Sequence, residues 1–485
     1  MGSACWLPSM LRLSFLYLLI RVLNGVLSVA ALYVLSRALT GEEYGRYALV
    51  TAAATLVAVS GFQWINVSVS RFHARFADRE GAILAEALTL YSWVAVPILL
   101  LVFFFVIGRS SFEEIHPSTI LIVAIGAFAL AAHALGLQVA NARQAPSLYG
   151  AITAARGGIG LALAWFFVQE GYSWRGAVLG FVIAAALSAF FLVLNVRETR
   201  LRRDPVIRHE MIRYGLPLSL TFLASIVLEL AGRFVVGLTL GEESAGGYAA
   251  GYDLAQQLIG ATLNAFFLAA FPAIVRLYES GGTEKAAEKM RQLFDYFILV
   301  SPLVLGVFYG LSPQIAAVVF GPSVRENAAQ VMPLVATAVW IGGFKSYYLD
   351  IAFQLKKKTK IQWYTTALMA LVSIVMGLLL VRVDGVRGAA VAAVVAYLIG
   401  AVASYAVGRK EGLYGIGLGD VFGLVALIVL VTVAARVGVA TAQDTGLLAL
   451  ITGGTFAFVT SALIVFVFDV AGCRSTAIAF LRRQK

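Results

Sequence analysis

Five basic side chains stand inside otherwise apolar stretches of this 485-residue sequence: Arg21, Arg156, Arg233, Lys345 and Arg436. A guanidinium presents a planar fork of donors that matches two phosphate oxygens at once, so arginines held in apolar surroundings suit a phosphate or diphosphate ligand. Asn24 and Ser28 follow Arg21 at three and seven residues, on one helix face, and Gln63, Asn66 and Ser70 repeat that spacing. Such amide and hydroxyl groups suit the hydroxyls of a sugar. Arg156 stands beside Gly157, Gly158 and Gly160, and Gln257 shares a helix face with Asp253 and Asn264. The expected site is therefore a cationic cavity of Arg21, Arg156, Arg233 and Lys345, lined by Asn24, Gln63, Asn66 and Gln257. Glu229, Asp253 and Asp350 are the acids placed to couple a proton or a sodium ion. A plainer reading stands beside this one: Glu229 neutralises Arg233 at i,i+4, and Asp350 neutralises Lys345. Arg436 reads as a snorkelling interface residue, and His133 as a satisfied packing residue.

Charges at such positions need elements that carry them through lipid. The sequence is 60% hydrophobic and only 13% charged, with a mean hydropathy of +0.88. Ordinary soluble domains carry about 25% charged residues. This composition excludes soluble enzymes, nucleic-acid binders and secreted disulfide scaffolds, and predicts an all-α integral membrane protein. Each spanning helix needs about 20 mainly apolar residues and satisfies its own backbone hydrogen bonds. That length finds fourteen spans, at roughly 13–36, 47–70, 86–108, 118–140, 148–169, 176–196, 214–239, 248–272, 292–311, 328–352, 361–381, 388–407, 420–440 and 446–469. The first run reads as a span and not as a cleaved signal, because no small-residue cleavage site follows it.

The net charge of +11 then acquires a meaning. With both termini in the cytoplasm, 25 of the 37 basic residues fall in cytoplasmic loops and tails and seven in outer loops. Translocation retains Lys and Arg inside, so this asymmetry predicts the orientation. The inside groups include Arg71, Arg75 and Arg79; the linker arginines up to Arg208 and Arg213; Arg276, Lys285, Lys289 and Arg291; Lys356 to Lys360; and the tail with Arg474, Arg482, Arg483 and Lys485. Cys5 and Cys473 have neither CxxC nor Cys/His spacing and read as incidental thiols, so no metal and no cofactor is expected. There is no phosphate-binding Gly-rich ATPase loop, no HExxH, no DxD and no catalytic Ser/His/Asp grouping. Prolines near span ends and in spans (Pro97, Pro217, Pro272, Pro302, Pro333) and Gly342-Gly343 are candidate hinges.

A repeat reaches beyond hydropathy. Leu39-Thr40-Gly41-Glu42-Glu43-Tyr44-Gly45-Arg46-Tyr47-Ala48 follows the first span, and Leu240-Gly241-Glu242-Glu243-Ser244-Ala245-Gly246-Gly247-Tyr248-Ala249 follows the seventh. An even number of spans separates the copies, which places both on one face of the membrane, as in a parallel repeat of two halves. These residues, with Tyr214-Gly215-Leu216-Pro217 opening the seventh span, resemble the polysaccharide flippases of the multidrug/oligosaccharidyl-lipid/polysaccharide exporter superfamily. The resemblance implies two six-helix lobes, 1–196 and 214–407, in a V around a central cavity. It also implies a basic linker at 197–213 and a C-terminal region, 408–485, with two added helices. As function it implies a non-enzymatic flippase of the bacterial inner membrane. By alternating access such a protein carries an undecaprenyl-diphosphate-linked oligosaccharide from the cytoplasmic to the periplasmic leaflet, among membrane lipids and other polysaccharide-assembly proteins. One departure stands out: family members often carry an Asp-Arg pair in span seven, and here Gly232 precedes Arg233.

Two rivals remain. A cation-coupled multidrug antiporter of the same superfamily needs an acid-lined lobe, whereas basic residues are in surplus within these spans. A membrane-embedded polymerase, ligase or glycosyltransferase needs a sizeable loop for acceptor and catalytic groups, and every loop is short. A structural scaffold would gain nothing from buried charges, which are costly in lipid. An inside-negative potential favours export of an anionic headgroup, by about 2.3 kcal/mol per charge for each 100 mV.

Overall fold

The computed structural model describes residues 6–107, 116–196, 201–358, 360–442 and 446–467. The two cysteines, the basic tail beyond Val467, Arg109, Arg197 and Arg200 lie outside the described residues. Those residues are helical almost throughout, with no strand among them. In chain order the helices are α1 (Trp6–Ala38), α2 (Gly41–Arg75), α3 (Glu80–Ile107), α4 (Pro117–Ala142), α5 (Pro146–Ala154), α6 (Gly160–Phe167), α7 (Ser173–Val196) and α8 (Pro205–Leu240). They continue as α9 (Glu242–Ala255), α10 (Ala261–Val319), α11 (Pro322–Phe344), α12 (Ile351–Leu355), α13 (Lys360–Gly408), α14 (Leu418–Thr441) and α15 (Leu447–Val467).

Eleven helical runs among the described residues are long and apolar enough to cross a membrane, and the chain is a multi-pass membrane protein. Three of those runs are far longer than one crossing needs: 146–190, 242–319 and 360–411. Each contains a residue that no helix interior accepts. Gly171 (φ 86°), Gly282 (φ 70°) and Gly385 (φ 56°) occupy the left-handed half of backbone space, where a side chain is strained and glycine is not. The interior prolines behave differently. Helical geometry runs through Pro97, Pro217, Pro272, Pro302 and Pro333. Gly342 and Gly343 lie within continuous α11, where a Cβ would meet the Tyr397 ring and, at 2.5 Å, Leu263. They are close-packing contacts in this structure.

The chain packs as two compact units, Met1–Leu230 and Ala231–Lys485. In the first, α2 and α4 pack along their length, α7 lies on both α4 and α6, and α1 lies on α5. Its core gathers Phe62, Ile65, Phe72, Ile83, Leu90 and Met211, among others. The stretch 205–213, read from the sequence as linker, is already helical and belongs to α8. It is tied down electrostatically: Asp204 meets Arg79 at 3.5 Å, and its backbone N–H donates to the fully buried Glu86 at 2.7 Å. Arg208 reaches the same carboxylate at 3.5 Å. In the second unit α11 packs on α9, α10 and α13, and α14 with α15 packs on α10.

The repeated motif starts helices, as its composition suggests. Thr40 caps α2: its hydroxyl accepts from the Glu43 N–H at 3.3 Å, and the Glu43 carboxylate accepts from the Thr40 N–H at 2.9 Å. Glu43 also accepts from Ser173 at the head of α7, at 2.5 Å. The motif therefore joins two helix starts in the first unit.

Candidate functional site

The first unit holds two of the four cationic candidates. Arg21 is exposed on α1, one turn before the likewise exposed Asn24. Arg156 is half-buried in a π turn, Ala155–Ile159, inserted between α5 and α6. A π turn widens the helix by one residue per turn and redirects side chains, which is why such turns recur at functional positions. Small residues allow this segment its close neighbours: a Cβ on Gly157 would stand 2.8 Å from Leu27 of α1, and one on Gly160 would stand 2.6 Å from Phe181 of α7. No carboxylate pairs with Arg156 among the described residues, and its buried Nε has no acceptor. A cation inside a span with no counter-charge is what an anion-binding position requires.

The polar candidates of α2 are used differently from expectation. Asn66 is 1% exposed; it accepts from the Tyr91 hydroxyl at 2.6 Å and donates to Gln63 at 3.5 Å. The same Tyr91 hydroxyl lies 2.9 Å from the Ala131 carbonyl and shares its one proton between the two acceptors, so these groups bind α2, α3 and α4 together. His133 is buried and bonded to Ser188 at 2.7 Å.

In the second unit the other two cations meet acids. Lys345 is 1% exposed and contacts Asp350 at 2.8 Å; Ser404 of α13 donates to the same carboxylate at 3.2 Å. A second π turn, Lys345–Leu349, makes this possible. Five residues along an α-helix point about 140° apart, whereas the wider turn brings residues i and i+5 together. Its loosened carbonyls are capped from outside: Tyr414 donates to Leu349 at 2.5 Å, and Gln362 donates to Asp350 at 3.1 Å.

Arg233 of α8 is buried and donates both guanidinium arms to Asp253 of α9, with the Tyr252 ring 5.4 Å from its centre. Glu229, one turn earlier on α8, is half-buried. The geometry also accounts for the glycine at 232. A Cβ there would collide with the Tyr248 hydroxyl, so the position is closed to an aspartate, and Arg233 takes its carboxylate from α9. Gln257 falls in a third π turn, Gln256–Gly260. Asp253 keeps a side chain 40% exposed, unlike the enclosed Asp350.

The second unit also holds an apolar cleft of about 790 Å³ that no sequence pattern announces, lined by Leu305, Leu398, Val402, Val425 and Val429. Asp420 and Arg436, also on its wall, stand 16 residues apart on α14, about 24 Å along the axis. Asp420 holds Arg291 bidentately at 2.9 and 3.1 Å, and Arg436 reaches the Tyr309 carbonyl at 3.4 Å. The cleft is assembled from four helices distant in sequence, so no local pattern announces it. Among the described residues no group of His, Cys, Asp and Glu is placed to hold a metal.

Comparison with solved structures finds the same fold in several transporters. The lipid II flippase MurJ in an inward closed conformation matches with a TM-score of 0.70 at 13% identity, covering 94% of this chain and 99% of that one. A multidrug resistance MATE family transporter of the MOP superfamily, inward-facing, matches with a TM-score of 0.59 at 16% identity, covering 85% and 98%. A MOP superfamily transporter from Pyrococcus furiosus, described as having a binding pocket of reverse polarity, matches with a TM-score of 0.52 at 14% identity, covering 82% and 93%. No curated protein sequence is significantly similar. The family described as polysaccharide biosynthesis protein matches residues 10–278, more than half of the sequence. With that match, the chain belongs to the polysaccharide biosynthesis protein family, and it shares the fold of these transporters.

Proposed function

We propose that this protein is a flippase that moves an undecaprenyl-diphosphate-linked oligosaccharide from the cytoplasmic to the outer leaflet for polysaccharide assembly. The observation that carries the reading is Arg156: a guanidinium in a span, at a π turn, with no carboxylate partner among the described residues. Desolvating such a charge is costly unless an anion compensates it. We assign Arg156 and Arg21 to the diphosphate. Arg233 and Lys345 act in this scheme through their carboxylates. Asp253, the accessible member of the acidic set, is the one we assign to ion coupling.

The proposal includes fourteen crossings, obtained by dividing the three overlong runs at Gly171, Gly282 and Gly385, and a cytoplasmic placement of both termini. Family membership and the flippase-like fold support transport over catalysis. Arg21 and Arg156, span cations with no acidic partner among the described residues, favour an anionic cargo over a cationic drug.

The test is a strain lacking this protein. It should accumulate lipid-linked oligosaccharide on the cytoplasmic leaflet, and re-expression should clear it. Unchanged lipid together with raised sensitivity to cationic drugs would assign the protein to the antiporter class instead.

A further inference from the structure

A second cationic feature lies in the first unit, where the last turns of α2 meet the early turns of α8. Arg71, Phe72 and Arg75 from α2 and Glu210, Arg213 and Tyr214 from α8 line a cleft of about 570 Å³. The retention of cations on one face explains why arginines occur here, but not their arrangement. That arrangement begins with Gly215. A Cβ at this position would stand 2.5 Å from Ser68 Oγ and 2.7 Å from the Trp64 carbonyl oxygen, so its absence seats α8 directly on the α2 backbone. Ser68 donates to the Met211 carbonyl at 3.4 Å across the same contact. Tyr214 is thereby brought edge-on to Phe72, with ring centres 5.9 Å apart, and carries the Arg71 guanidinium 4.2 Å above its ring.

The charges in the cleft do not cancel. Arg75 meets Glu210 at 3.4 Å, but neither Arg71 nor Arg213 has an acidic partner among the described residues. Two guanidinium forks therefore open on one cavity, a match in charge and geometry for a phosphate ester. The cleft also has an apolar continuation. Leu216, Leu220 and Leu223 are exposed, and with Arg213 they fall on one face of α8, running from the cleft into the span.

We propose that this cleft binds the phosphate headgroup of a membrane lipid, with Arg71 and Arg213 on the phosphate and the lipid chain along Leu216, Leu220 and Leu223. The site is separate from Arg156 and stands whether or not Arg156 carries cargo. Two sources share this chemistry, a prenyl diphosphate and a resident anionic phospholipid.

The experiment is calorimetric titration of the full chain in uncharged detergent, in an Arg21→Gln/Arg156→Gln background so that the other two cations assigned to the diphosphate contribute nothing. Farnesyl diphosphate, a short-chain phosphatidylglycerol and inorganic pyrophosphate are the probes. An R71Q/R213Q pair should weaken farnesyl diphosphate binding by about ten-fold or more, since charge-assisted hydrogen bonds are lost. Glu210→Gln should tighten it, by removing the one competing carboxylate. A ten-fold preference for farnesyl diphosphate over phosphatidylglycerol assigns the site to lipid diphosphates; equal affinity assigns it to bulk phospholipid. Unchanged binding in the arginine pair, or weakening in Glu210→Gln, overturns the proposal. Pyrophosphate binding as tightly as farnesyl diphosphate overturns the part played by the leucine face.

Discussion

The buried Lys345–Asp350 pair offers the sharpest quantitative test. At 2.8 Å, with an effective dielectric constant of about 20, the Coulomb attraction is about 6 kcal/mol. Desolvating two ions costs several kcal/mol each, so the pair as a whole is close to balanced. Removing one partner is different. Lys345→Met leaves the Asp350 carboxylate enclosed with the Ser404 hydroxyl as its remaining side-chain donor among the described residues, and Asp350→Leu leaves an ammonium in the same place. Each single variant should lose about 3–5 kcal/mol. The K345M/D350L double variant should recover most of that and lie within about 1 kcal/mol of wild type, because similar volumes replace both ions and Ser404 can bond to the Gly400 carbonyl of its own helix. Unfolding in mixed micelles titrated with dodecyl sulfate, followed by circular dichroism, gives the three free energies. A double variant as unstable as either single one would refute the argument. So would single variants that unfold like wild type. Transport supplies a second reading: the double variant should flip lipid-linked glycan normally if Lys345 serves only Asp350, and a stable but inactive double variant would place Lys345 on the cargo.

Two further predictions use the first unit. Arg156→Gln should reduce flipping in proteoliposomes ten- to hundred-fold, as expected for losing a charged hydrogen bond worth about 1.5–3 kcal/mol, while stability stays level or rises because a desolvated charge is gone. A destabilised variant with normal flipping would show that Arg156 is structural. Gly215→Ala should destabilise the protein by about 1–3 kcal/mol in the same micelle titration, because the added Cβ meets a main-chain oxygen that cannot rotate away. Wild-type stability for this variant would mean that α8 is not seated on α2 as described.

Some positions carry their meaning locally. Thr40 and Glu43 spell a helix start in four residues, and the structure places that cap where the motif suggests. Apolar run lengths reveal a membrane protein because lipid imposes one rule on every span. Other positions do not. Asn66 shares a helix face with Gln63 and Ser70, yet it alone of the three is buried and its amide is spent on Tyr91. The leucines of the apolar cleft read like any lipid-facing leucine until α14 is set against its neighbours.

The division between the two kinds of information follows from range. By itself the sequence determined a helical, multi-pass membrane protein of this family, because hydropathy, caps and the repeated loop act over a few residues or over whole spans. Only the tertiary structure decided which charges remain uncompensated. Lys345 meets Asp350 because a π turn changes the helical phase, and Arg233 meets Asp253 because Tyr248 closes position 232 and α9 lies alongside. Arg156, Arg71 and Arg213 keep no acid because, among the described residues, no packed neighbour presents one. Partnership between side chains depends on phase and on packing between helices, and neither is written in the spacing of residues along one strand of text.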